Sequence, residues 1–225
     1  MCGRYVISLT LDQLSNLFEI PDSINGRINL AATWNAAPTQ ALPIVRRGRE
    51  GGMRLSQVRW GLVPHWSKTG PDNSKPLINA RAETAAEKPT FRQALKRRRA
   101  LIPADGFYEW AKTEGGKQPF FITRTDGAPL VFAGIWERWG ERWGEGEETV
   151  DSFAILTTAA NADISHLHHR SPVMIARASF ADWLDPDMDP QPFLIPPAAG
   201  TLTARPVSTR VNKVAENDAS LLNPL

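Results

Sequence analysis

The chain has 225 residues, 42% of them hydrophobic and 22% charged, and a formal net charge of +2. That is enough apolar material for one sizeable core, and it excludes global disorder. A single cysteine excludes a disulfide framework and suits a reducing compartment. No apolar run approaches membrane-spanning length and no charged-then-apolar leader opens the chain, so a soluble, intracellular protein is expected. The small net charge does not announce a nucleic-acid binder, but its distribution is uneven. Residues 88–99 carry Lys88, Arg92, Lys96, Arg97, Arg98 and Arg99 without an acid, whereas Glu137, Glu141, Glu145, Glu147, Glu148 and Asp151 face only Arg138 and Arg142. Such polarity is compatible with a polyanion on one face, but a charge run is usually just solvated surface.

In chain order, residues 5–9 are apolar and strand-like. Thr10 and Gln13 form a capping-box pattern around Leu11, Leu14, Leu17 and Phe18 at helical spacing, and Pro21 ends the run. Residues 31–63 read as β structure, with a turn at Asn35-Ala36-Ala37-Pro38-Thr39 and a break at Gly51-Gly52. A polar loop follows at 65–75, and Thr90 with Gln93 predicts a second capping box opening a short basic helix. Four strands are predicted at 100–104, 107–111, 119–125 and 130–136, the last two joined as a hairpin through Asp126-Gly127. Trp136-Glu137-Arg138-Trp139-Gly140 and its echo in Glu141-Arg142-Trp143-Gly144 read as the approach to an exposed hairpin tip. Further strands are predicted at 152–158, 171–175 and 202–207. A helix capped by Ser179 with Asp182 precedes a Pro-rich connection at 186–197, and the last residues are expected on the surface. Many short strands, few helices and no βαβ rhythm predict an α+β fold. It forms a single domain over residues 2–225 on largely antiparallel sheet, either barrel-like or as two packed sheets, with a few short flanking helices.

Cys2 is the residue with the most chemistry. Its small neighbourhood favours removal of Met1, which leaves an α-amine and a thiol on adjacent carbons. Their ordinary pKa values, about 7.7–8.0 and about 8.5, make both available near neutrality. Three polar clusters lie downstream. Asn79-Ala80-Arg81-Ala82-Glu83 follows an apolar stretch. In Phe107-Tyr108-Glu109-Trp110, alternation puts Glu109 on the face of Phe107, opposite Tyr108 and Trp110. A carboxylate among aromatics either pairs with an arginine or is desolvated and suited to proton transfer. In His166-Leu167-His168-His169-Arg170 the spacing is not that of a zinc site, so no metal is expected, and one histidine acting as proton donor beside Arg170 is the better reading. Trp60 and Trp66 flank a Gly/Pro loop and serve either as core or as base-stacking surfaces.

The ordered set of these motifs resembles the SOS-response-associated peptidase (SRAP) family of abasic-site shielding proteins. It runs from Met1-Cys2-Gly3-Arg4-Tyr5 through Trp60-Gly61-Leu62-Val63-Pro64-His65-Trp66, Asn79-Ala80-Arg81-Ala82-Glu83, Phe91-Arg92 and Pro103-Ala104-Asp105-Gly106-Phe107-Tyr108-Glu109-Trp110. It continues through Phe132-Ala133-Gly134-Ile135-Trp136 and Thr157-Thr158-Ala159-Ala160-Asn161 to His168-His169-Arg170-Ser171-Pro172. Ser171 departs from the family's usual Met. The resemblance implies a covalent thiazolidine between Cys2 and the aldehyde of an abasic site in single-stranded DNA, with self-cleavage of the initiator Met and crosslink reversal as associated activities. It assigns Asn79 to orienting Cys2 and the sugar, Glu109 to acid/base work and His168 to protonating the ring oxygen. Arg4, Arg81, Arg92 and Arg170 would hold phosphates, Trp60 or Trp66 would interrupt the base stack, and Thr157 and Thr158 would line the strand's path. No cofactor and no membrane partner are implied. A monomer is expected, cytoplasmic and nucleoid-associated if the source is bacterial, and replication-fork partners are not legible. An N-terminal-nucleophile amidohydrolase of the glutamine amidotransferase type, which also begins Met-Cys-Gly, or a peptidase is the alternative.

Overall fold

The computed structural model describes residues 2–21, 30–48, 51–71, 75–140 and 149–225. Its organising strand is β10 (Val150–Ala159), buried without interruption from Ser152 to Thr158 and therefore covered on both faces. On one side β10 pairs with β9 (Leu130–Trp139) and then β11 (Arg170–Pro172). On the other it runs parallel first to β4 (Met53–Trp60) and then to β5 (Asn79–Arg81). β3 (Ala41–Arg47) joins β4 to β6 (Arg99–Ala104), and β6 joins β9. The ring of β3, β4, β10, β9 and β6 thus closes into a five-stranded barrel, a closure that leaves no edge in the ring to cover.

A second, wholly antiparallel sheet lies beside it, in the order β12 (Leu202–Pro206), β8 (Gly116–Arg124), β7 (Gly106–Thr113), β1 (Tyr5–Ile7), β2 (Thr33–Ala36). Aromatic rings form much of the core that joins the two. Tyr5 meets Trp60 edge-on at 5.2 Å and Phe132 at 6.2 Å, and Phe107 meets Phe132 at 5.8 Å. Each such pair contributes about 0.5–1.5 kcal/mol beyond the area it buries. Gly61, at φ +123, lets the chain turn past Pro76, which a Cβ there would strike at 2.6 Å.

The α+β expectation holds, with four short α-helices among the described residues flanking mostly antiparallel sheet. The capping box of α1 (Leu11–Phe18) forms as predicted, through Thr10 and Gln13. The other two do not. Helix α3 (Arg92–Arg97) begins one residue late, so Gln93 falls at its second position and cannot reach back, and Phe91 occupies the cap. Before α4 (Phe180–Leu184), Ser179 is already part of a 3₁₀ turn, and its ψ of 6° is not the extended geometry that aims a capping oxygen. A further helix, α2 (Ala82–Ala85), was not anticipated. Asp126-Gly127 makes a turn but no hairpin, because β8 and β9 belong to different sheets. Trp139 pairs with Val150 as a hairpin would require, while its predicted tip at 141–148 lies outside the described residues. The C-terminal residues are not merely surface. Val207, Val211 and Leu221 are fully buried with Val6, Tyr108 and Phe121, covering the outer face of the second sheet. No described helix is long and apolar enough to cross a membrane.

Candidate active site

Cys2 sits just before β1, with no exposed surface, in the core shared by both sheets. Asn79 opens β5, where pairing with Ile155 of β10 sets its register, and its Nδ2 donates to the Cys2 carbonyl at 2.8 Å. The Cys2 thiol faces the Arg4 carbonyl at 3.8 Å. Burial pushes this thiol well above its usual range, and the Glu109 carboxylate adds to the rise. Glu109 is itself buried on β7. The predicted alternation is realised there: Phe107 belongs to the main core, whereas Tyr108 and Trp110 belong to the second. The Glu109 carboxyl group therefore stands in an aromatic interior within electrostatic reach of the thiol.

His168 completes the cluster. Burial lowers its pKa, and Glu109 partly opposes that fall. The Arg170 amide donates to its Nδ1 at 2.9 Å, so Nδ1 carries no proton and the neutral ring keeps its hydrogen on Nε2. Cys2, Asn79, Glu109 and His168, spread over 167 positions of sequence, are thus brought together, Asn79 by its hydrogen bond to Cys2 and Glu109 and His168 by shared electrostatics. Among the described residues, the buried Tyr5 hydroxyl and Asn79 Oδ1 have no hydrogen-bond partner. Such a group costs about 1–3 kcal/mol, so the neighbourhood of Cys2 is held at the expense of stability. The Tyr5 phenol is pushed well above its ordinary range by burial and by the nearby Cys2.

Residues 1–214 match the model of the family described as SOS response associated peptidase, SRAP. The chain belongs to the SRAP family. Among curated SRAP relatives, abasic site processing protein YoaM of Bacillus subtilis is 37% identical, over 99% of this chain and 98% of its own length. Abasic site processing protein YedK of Escherichia coli is 33% identical across the full length of both. Among solved structures, a Bordetella bronchiseptica protein aligns at a TM-score of 0.77 and 28% identity, covering 92% of this chain and 100% of its own. A Bacteroides thetaiotaomicron protein aligns at 0.86 over the whole of both chains, and at 23% identity it shows the fold alone.

The remaining site residues of this SRAP chain fall into three groups. Arg81 and Trp66 are exposed, Trp66 at 49% on the loop after β4. Arg92 is exposed on α3, where it lines a cleft of about 510 Å³ with Lys96, Arg99 and Asp187, none of them part of the Cys2 cluster. The rest are committed internally. Trp60 is fully buried and donates to the Ile78 carbonyl at 3.0 Å, so it supports the strand carrying Asn79 and offers no face to a base. Arg4 reaches Asn35 Oδ1 at 2.8 Å and the Val211 carbonyl at 2.9 Å, tying the N-terminus to the C-terminal segment. Thr157 and Thr158 are buried in β10. Arg170 makes a two-point ion pair with Glu83, at 2.6 and 2.8 Å. Sequence reasoning missed that pairing and the Tyr5 hydroxyl. Arg170 and Glu83 are 87 positions apart, with no local signal to join them.

Proposed function

We propose that the protein captures the open-chain aldehyde of an abasic site in single-stranded DNA through Cys2, forming a thiazolidine. The convergence of Cys2 with Asn79, Glu109 and His168 carries this reading, and membership of a family whose curated relatives are named abasic site processing proteins supports it. Once Met1 is removed, the amide nitrogen of Cys2 becomes an amine. His168 donates a hydrogen bond from Nε2 to the ring oxygen and so promotes opening of the sugar, in which the proton gained by that oxygen is balanced by the one the anomeric hydroxyl gives up. The amine adds to the aldehyde carbon and water leaves, giving an imine. The thiol then adds across that imine: sulfur bonds to carbon, and the S–H proton passes to nitrogen. A raised thiol pKa is the appropriate starting state, because the sulfur stays protonated until the electrophile arrives, and Glu109 is the base that relays its proton. Asn79 holds the Cys2 backbone, so ring closure is intramolecular and gains the large effective concentration of a fixed neighbour. No oxidant or reductant is needed. Arg81 and Arg92 hold flanking phosphates and Trp66 stacks beside the lesion. Recognition of a missing base rests on phosphate and shape contacts.

Intact mass tests the reading. Mixing the protein with single-stranded DNA bearing one abasic site is expected to give a heat- and SDS-stable species, the Met-free chain plus the DNA minus one water. Cys2→Ala abolishes it, and Cys2→Ser leaves at most an imine trapped by borohydride. A wild-type chain that keeps Met1 while forming the adduct, or an adduct mapped to another residue, overturns the assignment.

A further inference from the structure

We propose that Glu83 is a positioning residue for His168, acting through Arg170; this rests on the reading of His168 as the proton donor. The Arg170 side chain is 12% exposed and that of Glu83 50%, so an outer carboxylate grips an inner guanidinium. Nη1 and Nη2 of Arg170 take the two Glu83 oxygens, and Nη2 also donates to the Thr157 carbonyl and to Thr157 Oγ1 at 3.3 Å. Thr157 is the point where β10 meets both β5, at Arg81, and β11, at Pro172. The fork therefore bolts the start of β11 to β10 and to the first turn of α2, which carries Glu83.

That anchoring matters because β11 is only three residues long and His168 lies just before it. The Arg170 amide is what dictates the histidine tautomer. An N–H can only donate, so at 2.9 Å it requires a bare Nδ1, and the 3.2 Å approach of the Arg170 carbonyl to the same nitrogen is then not a hydrogen bond. Shifting Arg170 releases the ring to exchange tautomers and to turn against His169, on which it stacks at 4.4 Å. The pair also carries no net charge, and a DNA phosphate would have to displace a two-point carboxylate to reach Arg170. Arg170 is thus a structural relay first, and the exposed Arg81 is the better phosphate ligand.

Nitrogen-15 NMR of histidine-labelled protein, without DNA, reads the tautomer directly. The wild type is expected to show His168 as the Nε2–H form and Glu83→Gln a mixture, with adduct formation slowed about tenfold and affinity for undamaged single strands little changed. Arg170→Lys keeps the charge but not the fork and should reproduce both effects. A wild-type His168 spectrum in folded Glu83→Gln and Arg170→Lys proteins overturns the proposal. So does Glu83→Gln tightening binding to undamaged strands with the tautomer unmoved, which would make Glu83 a competitor of phosphate. A mixed tautomer with undiminished adduct formation upholds the positioning role and removes His168 from the reaction instead.

Discussion

The two ends of β10 do opposite things with charge. Near its start, Asp151 accepts from Arg46 at 2.7 Å and from Arg138 at 2.6 and 3.0 Å. Across the ladder from Ser152, Glu137 accepts from Arg98 at 2.7 Å, and His65 Nδ1 lies 3.2 Å away. Arg46 also lies over Trp136, 4.3 Å from the ring centroid. Burial alone would raise the Asp151 pKa, but the hydrogen bonds from Arg138 and Arg46 outweigh it and hold the carboxyl below its usual range. Near its other end, β10 supports the Cys2 cluster, with a thiol raised by burial and with the Tyr5 hydroxyl and Asn79 Oδ1 among the buried polar atoms that lack partners within the described residues. The first end pairs its carboxylates with arginines, although Arg98 Nε and Arg59 Nη1 there lack partners among the described residues. The other leaves a hydroxyl and an amide oxygen unpaired beside Cys2, hydrogen-bonding capacity that a ligand can use.

That contrast sorts variants into losses of rate and losses of stability. The largest effect is expected from Glu109→Gln, which should slow adduct formation by about a hundredfold while leaving the melting temperature almost unchanged. Comparable losses of affinity for undamaged strands would make Glu109 structural. At the opposite end, Asp151→Asn should cost about 2 kcal/mol by leaving two arginines short of a charge, measured by denaturant unfolding. Its adduct rate per folded molecule should match the wild type. Tyr5→Phe keeps the ring packed on Trp60 and Phe132 and deletes only the hydroxyl, so it should stabilise by about 1 kcal/mol. A destabilised Tyr5→Phe protein would show that the hydroxyl is satisfied after all.

The smallest effect is on pH dependence. Folding lowers the His168 pKa through burial, so the unfolded chain takes up that proton first. Stability should therefore shrink as pH falls through about 6.5 and level off below the folded value. Comparing melting curves of wild type and His168→Gln between neutral and mildly acidic pH isolates this contribution, and identical slopes would remove it.

Legibility followed the range of the interactions. Alternation in Phe107-Tyr108-Glu109-Trp110 correctly separated the two cores, and the Thr10–Gln13 box was visible because its bonds span three residues. The same pattern misled at Thr90 and Ser179, where the preceding chain, not the motif, determines where the helix begins. Trp60 and Trp66 are alike in sequence setting. Only packing separates the buried indole bonded to Ile78 from the exposed one six residues on.

By itself the sequence determined the class of fold, the strand-rich order of elements and the set of residues able to do chemistry, since these depend on side-chain type and short-range periodicity. Closure of the barrel, burial of the C-terminal segment and the pairing of Arg170 with Glu83 were decided only by the tertiary structure. Each joins groups tens of residues apart, and which arginine meets which carboxylate depends on strand register and burial that no local pattern encodes.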